Sequence, residues 1–299
     1  MTTISNEDTV EMSTIGEPDS KFFGEVTPPV NVEVGGATHP GFARSNNEDH
    51  YVAVRRYRSR EVLLTNMPPD AYPSHQDNVY AFAVADGVGG AAFGELASEL
   101  ALRTSWELTG RAFKWGFVLS ESETKELLEG INVYVQKIHQ RIQTEAKEVF
   151  KGMGTTLTGV LTIGHDAFVM HVGDSRAYLF RGTELHRLTH DQTLAELMVK
   201  AGLISCVDEA AQRFRSTLVN CLGGDFTKVD VETKHLILQD GDQLLLCTDG
   251  LTDMVDEAKI AEILNQAQTP QLICDELIQA ALDGGGSDNV TAVLGRYAL

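Results

Sequence analysis

Residues 79–90, VYAFAVADGVGG, constrain this chain more than any other stretch. Val79, Ala81, Phe82, Ala83 and Val84 are apolar without a helical period, the pattern of a strand covered on both faces. Asp86 follows where that strand is expected to stop. Gly87, Gly89 and Gly90 allow a sharp turn and a close backbone approach. A carboxylate at the mouth of a buried strand is costly without a partner, and a cation is its usual compensation. An aspartate in a glycine turn is also a common local structure, so this stretch alone leaves site and turn both open.

Four other acids share that setting. Asp49 precedes YVAV, Asp174 follows VMHVG, Asp249 follows LLLCT, and Asp288 follows GGGS. Each stands at a boundary between a buried strand and a loop. If the strands pair with their ends aligned, the five carboxylates meet at one rim. An all-oxygen set with no His or Cys beside it suits Mg²⁺ or Mn²⁺ rather than zinc. Two such ions sharing one carboxylate is a common phosphatase arrangement. Structural calcium is the competing reading, although no EF-hand loop is present.

The surrounding chain reads as one layered domain. Residues 1–30 carry six acids against Lys21 alone and are expected to form a flexible acidic tail. A weak strand is expected over 31–37 and another over 51–54, with 55–78 an irregular loop. Helical periodicity marks residues 94–109 and 121–149, with Trp106 and Trp115 read as core. From Gly152 the period changes to two, giving a meander with turns at 164–166 and 181–183. Residues 192–227 read as an inserted flap. A strand over 242–249, helices over 257–266 and 269–282, and a closing strand over 288–297 complete an α+β domain with antiparallel sheets inside and helices outside.

Composition removes several functions. The net charge of -19 argues against sequence-independent nucleic-acid binding, which needs a basic face. No apolar run reaches the roughly 18 residues of a membrane span. Cys206, Cys221, Cys247 and Cys274 have neither disulfide nor zinc spacing, and thiols in a reducing compartment are expected. A polar, acidic start argues against a signal or transit peptide, so a cytoplasmic protein is expected.

Six short motifs then align with one family. RSNNED at 44–49, DGVGG at 86–90, GTT at 154–156, GDSR at 173–176, TDGL at 248–251 and SDN at 287–289 occur in order over residues 31–299. In this the chain resembles the metal-dependent protein phosphatases of the 2C type, in a bacterial form. The resemblance implies a four-layer α/β-β/α sandwich with a flap at about 192–227. It implies that Asp86 bridges two Mn²⁺ or Mg²⁺ ions, that the Gly87 carbonyl ligates the second, and that Asp249 and Asp288 complete the first. Asp174 with Asp249 would hold a third ion. Asp49 and Glu48 would orient metal-bound waters, with Asn289 beside them, and Arg44 would bind the substrate phosphate. The implied substrates are phosphoserine and phosphothreonine proteins, targets of a serine/threonine kinase, handled by a monomer. The alternative is a catalytically weak domain of this type that binds phosphoproteins as a regulatory module.

Some positions depart from the family pattern. Val88 and Ala91 stand where many members carry a histidine able to act as general acid. His190-Asp191-Gln192 replaces the usual triplet before the flap. Outside the motifs, His186 and His190 are four apart but expected in a hairpin, not a zinc-binding helix. Arg176 is expected in a rim salt bridge, and Cys247 as a buried, inert thiol.

Overall fold

The structure, a computed structural model, describes residues 30–59, 61–68, 76–88, 93–112, 120–146, 152–205 and 209–299. The tail expected over 1–30 lies outside them except for Val30. So do Gly89, Gly90, Ala91, Trp115, Cys206 and the last residues of the helix expected over 121–149.

One sheet has the order β1-β12-β11-β7-β8, with β1 Asn31–His39, β12 Val290–Ala298, β11 Gln243–Cys247, β7 Arg176–Arg181 and β8 Glu184–Arg187. The other runs β10-β6-β5-β3-β4-β9, with β2 also on β3. Its strands are β2 Asp49–Ser59, β3 Gln76–Val88, β4 Gly154–Thr155, β5 Leu157–Ile163, β6 Asp166–Val172, β9 Leu222–Gly223 and β10 Glu232–Ile237. Every strand pairing is antiparallel. Helices α1 Phe93–Ala112 and α2 Glu121–Glu145 cover the second sheet. α5 Asp249–Thr252, α6 Glu257–Leu264 and α7 Pro270–Asp283 cover the first. The segment between β8 and β9 holds α3 Leu194–Lys200 and α4 Glu209–Phe214.

The four layers follow from strands buried on both faces. In β3, Ala83 and Ala85 pack under α1 and α2, while Tyr80, Phe82 and Val84 pack between the sheets. In β11, Leu245 and Cys247 meet the helices and Leu244 and Leu246 meet the other sheet. Successive side chains point to opposite faces, so two covered faces produce a continuous apolar run.

The helices carry their own start signals. Ser120 and Glu123 form a capping box on α2, and Thr269 caps α7 with Pro270 in its first turn. Ile131, Val135, Ile138 and Ile142 then form the buried stripe of α2.

Three expectations are corrected. Residues 55–59 continue β2 in unbroken register as far as the pair Ser59–Gln76, so the expected loop begins as half of a long hairpin. Arg55, Tyr57, Arg58 and Ser59 are exposed, and a strand with so little burial carries no apolar run to reveal it. Asp86 does not end its strand: Gly87 and Val88 pair with Thr155 and Gly154. Trp106 is 64% exposed rather than core, because Ala97, Ala101 and Leu102 form the buried face of α1.

Candidate active site

Pairing brings the acids together. In β2 and β3 the residues directly opposite one another include Asp49 and Asp86. The two threonines after Gly154 then grip Asp86 by its backbone. The Thr156 amide and the Thr155 hydroxyl donate to the Asp86 carbonyl at 2.8 Å each, and the Asp86 amide donates to Thr156 Oγ1 at 2.9 Å. Thr156 and Ser175 share a hydroxyl contact of 2.7 Å, which ties this grip to the turn carrying Asp174.

Gly87 is required by a close approach. A Cβ there would lie 2.2 Å from the Gly94 carbonyl oxygen, where β3 passes the first turn of α1. A Cβ on Gly94 would in turn strike Glu48 Oε2 at the same separation. The Gly87 amide and the Ser98 hydroxyl both donate to the Glu48 carbonyl, at 3.2 and 2.6 Å.

Asp49 lies behind the rim, 4% exposed. Its Oδ2 accepts from the hydroxyls of Thr248 and Thr291 at 2.8 and 2.7 Å. Thr248 is therefore occupied with Asp49 and makes no side-chain cap for α5, whose first residue is Asp249. Asn289 ties the last loop to the first. Its Oδ1 accepts from the Glu48 amide, and its Nδ2 donates to the carbonyls of Pro40 and Asn46. Arg44 reaches across to Asp288, with Nη2 2.7 Å from Oδ2.

The result is a cleft of about 360 Å³ lined by Arg44, Glu48, Asp86, Gly87, Asp174, Asp249, Asp288 and Asn289, with Val88 and with Ser216 and Leu218 from the flap segment. Its electrostatics are those of crowded carboxylates. Burial, then the charges of Asp49, Asp249, Asp174 and Asp288, hold the Asp86 carboxyl well above the usual range. Burial, then Asp174 and other acids, do the same for Asp249. Burial pushes Asp49 up to about 7, against the two threonine hydroxyls. Asp174 is pushed up to about 7 by burial and then by Asp191.

A cation set fits this chemistry. Asp49 Oδ1 and Asp249 Oδ1 are buried without a hydrogen-bond partner, a costly state for acceptors unless a cation, a metal-held water or a proton meets them. Among the described residues no three His, Cys, Asp or Glu side chains are drawn into a ready-made cage. The fit rests on the donor type and on the two unpartnered oxygens, which suit hard divalent ions.

The base of the flap segment is clamped to the same turn. Gln192 exchanges two backbone-directed bonds with Gly173, its amide to the Gly173 carbonyl at 2.7 Å and its Oε1 to the Gly173 amide at 2.8 Å. Asn220, where the segment returns, donates to the same Gln192 Oε1 at 2.6 Å.

A family model described as protein phosphatase 2C matches residues 69–289. The chain belongs to the protein phosphatase 2C family. Serine/threonine phosphatase stp of Listeria monocytogenes is 36% identical over 228 residues, 74% of this chain and 85% of that protein. The solved serine/threonine phosphatase of S. agalactiae superposes with a TM-score of 0.72 at 29% identity, over 89% of this chain and 99% of that one. The catalytic domain of the serine/threonine phosphatase PstP, solved with two manganese ions, gives 0.68 at 28% identity, over 91% and 100%.

In this protein phosphatase 2C chain, the cleft gathers every expected site residue except Asp49, which is buried beside Asp86 outside the cleft lining. Arg176 forms the expected salt bridge, to Asp191 at 2.7 Å. His186 and His190 face Glu184 and Glu232 separately. Cys247 is buried, its thiol pushed up to about 12 by burial. Thr155, Thr156 and Thr248 belong to the GTT and TDGL motifs, which give their hydroxyls no role, and Thr291 belongs to none. Their signal was present as polar residues within otherwise apolar strands. Among the described residues no helix is long and apolar enough to cross a membrane.

Proposed function

We propose that this protein hydrolyses phosphoserine and phosphothreonine esters on proteins, opposing a serine/threonine kinase in the cytoplasm. The observation that carries the reading is the convergence of Asp86, Asp174, Asp249 and Asp288 on one cleft with Arg44 at its edge. In this reading Asp86, the Gly87 carbonyl, Asp249 and Asp288 would hold two divalent ions, and Asp174 with Asp249 would hold a third. Bound Mn²⁺ or Mg²⁺ supplies Lewis acidity that eases loss of a proton from water and neutralises phosphoryl charge.

The chain's own groups do the rest. Thr155 and Thr156 fix the Asp86 backbone, so its carboxylate is presented without reorganisation. Thr248 and Thr291 hold Asp49 in one orientation behind it. The planar fork of Arg44 matches two phosphate oxygens. The described lining of the cleft holds no histidine, and Val88 occupies the position next to Gly87. Protonation of the leaving oxygen therefore falls to water or to a carboxyl group.

The test is release of phosphate from p-nitrophenyl phosphate and from a phosphothreonine peptide, with and without Mn²⁺. Turnover that needs the metal and is abolished by EDTA supports the reading. Tight peptide binding without turnover would favour the binding-module alternative.

A further inference from the structure

The loop that carries Arg44 also carries an aromatic side chain that the hydrolytic chemistry leaves unused. Phe42 is 69% exposed. Among the described residues it is the one large apolar side chain more than half exposed whose chain neighbour lines the cleft: Ala43 and Arg44 both do. Leaving a ring of that size in water forgoes the gain of burying it.

The ring is held in place. The Phe42 amide donates to the Gly286 carbonyl at 2.7 Å, and Asn289 Nδ2 fixes the loop on either side of it, at the carbonyls of Pro40 and Asn46. The ring lies against the loop that leads to Asp288. A Cβ on Gly286 would stand 2.9 Å from Phe42 Cδ2 and 3.1 Å from Leu282 Cδ2. The His39 ring meets Phe42 edge-on, with centroids 6.1 Å apart. Phe42 thus stands where the two loops that bring Arg44 and Asp288 to the cleft meet.

Reach limits what can cover the ring. Two residues of chain span at most about 7 Å, which bounds the backbone distance from Phe42 to Arg44. An extended substrate advances about 3.3 Å per residue. With the phosphate on Arg44, substrate side chains one or two positions away come within range of the ring. Acids at those positions are repelled by the carboxylates of the cleft. An apolar side chain covers the ring and leaves water itself, and the anchored loop has little ordering left to lose. Aromatic anchors of this kind carry much of the energy of protein recognition.

We propose that Phe42 is a specificity-determining residue that packs against a large apolar side chain one or two positions from the phosphorylated residue of the substrate. This rests on the phosphatase reading above and adds a substrate class to it: phosphoproteins with an aliphatic or aromatic residue beside the phosphoserine or phosphothreonine.

The test uses the full chain with Mn²⁺ and phosphothreonine peptides. One pair carries Leu at the two positions before the phosphothreonine, or Ser there. A second pair carries the same residues at the two positions after it. On one side at least, the expected KM is about tenfold lower for Leu than for Ser, the worth of covering roughly 50 Å² of apolar surface. The gap persists as salt rises, because no charge carries it. F42S brings the ratio of the two KM values to about one, and F42L keeps most of it. Disturbance of the Arg44 loop alone would weaken both peptides alike and leave the ratio unchanged. Equal KM values for Leu and Ser on both sides in the wild type overturn the proposal without needing any variant. So does a ratio that survives F42S, or one that vanishes at high salt. Absence of p-nitrophenyl phosphate turnover in the wild type would strike the phosphatase reading itself, and this proposal with it.

Discussion

Arg44 and Asp288 are partners across 244 residues of chain, Nη2 to Oδ2 at 2.7 Å. In the proposed mechanism both have other obligations, Asp288 to an ion and Arg44 to phosphate. The pair is more than half exposed on the arginine side, so its own stability is worth at most about 1 kcal/mol. Releasing it therefore costs little once an ion engages the carboxylate.

Arg44→Ala is expected to raise KM for a phosphopeptide about tenfold or more, the loss of a charge-assisted hydrogen bond of roughly 1.5–3 kcal/mol. Arg44→Lys is expected to recover only part, since an ammonium does not form the bidentate fork. Mn²⁺ affinity should hold or rise, because Asp288 loses a competitor. Steady-state kinetics at two Mn²⁺ concentrations separate these effects, and a weakened Mn²⁺ affinity with unchanged KM would assign Arg44 to holding the loop.

Asp86→Asn is expected to abolish most turnover yet raise the melting temperature of the metal-free protein. The native carboxyl is crowded by four other acids and held well above its ordinary value. An amide of similar shape carries no such charge. Melting curves in EDTA at pH 8, beside turnover in saturating Mn²⁺, read both outcomes.

The metal-free protein is expected to lose stability as pH rises from about 4 to about 7. Asp49 and Asp174 are pushed up to about 7 in the folded chain, against an ordinary value near 4. Below about 4 both states are protonated and no penalty applies. Between the two values the folded state holds the extra protons, so stability falls with pH. Above about 7 both states are ionised and the loss is complete. Mn²⁺ displaces those protons, so its stabilising effect should be larger at pH 8 than at pH 5. Thermal melts across that range, with EDTA or Mn²⁺, check the sign.

Thr248→Val is expected to destabilise the metal-free fold by about 1–3 kcal/mol, the cost of stripping a donor from a buried acceptor. Asp49 Oδ1 already lacks a partner, so Oδ2 carries the whole burden. Thr291→Val should cost a similar amount, and the double variant should depart from additivity because both hydroxyls serve one oxygen. Denaturant melts of the three variants measure the coupling.

The acids at strand ends were legible because a carboxylate beside an apolar run breaks the pattern of its neighbours. What bound them was not. Thr155, Thr156 and Thr248 stand in the GTT and TDGL motifs and Thr291 in none, yet no role for their hydroxyls is legible, since β-branched side chains favour strands whatever their hydroxyls do. The Arg44 partner, Asp288, was hidden by sequence distance. The outer half of β2 was hidden for the opposite reason, because pattern reading rewards burial and this strand face is exposed. Trp106 misled because hydrophobic bulk was taken as a guide to the inner face of α1, where small alanines allow the helix to approach the sheet.

Asn289 has a consequence for synthesis. Its side chain closes the loop that carries Arg44 and Glu48, and the strand that follows it is inserted between β1 and β11. The loop around residues 40–48 thus waits for residues about 240 positions later in the chain. A chain still emerging from the ribosome cannot assemble its cleft, however much of the second sheet has already formed. Termination at residue 289 would leave a protein with all of the cleft acids and without the strand that closes the cleft, so activity is withheld until β12 has been made.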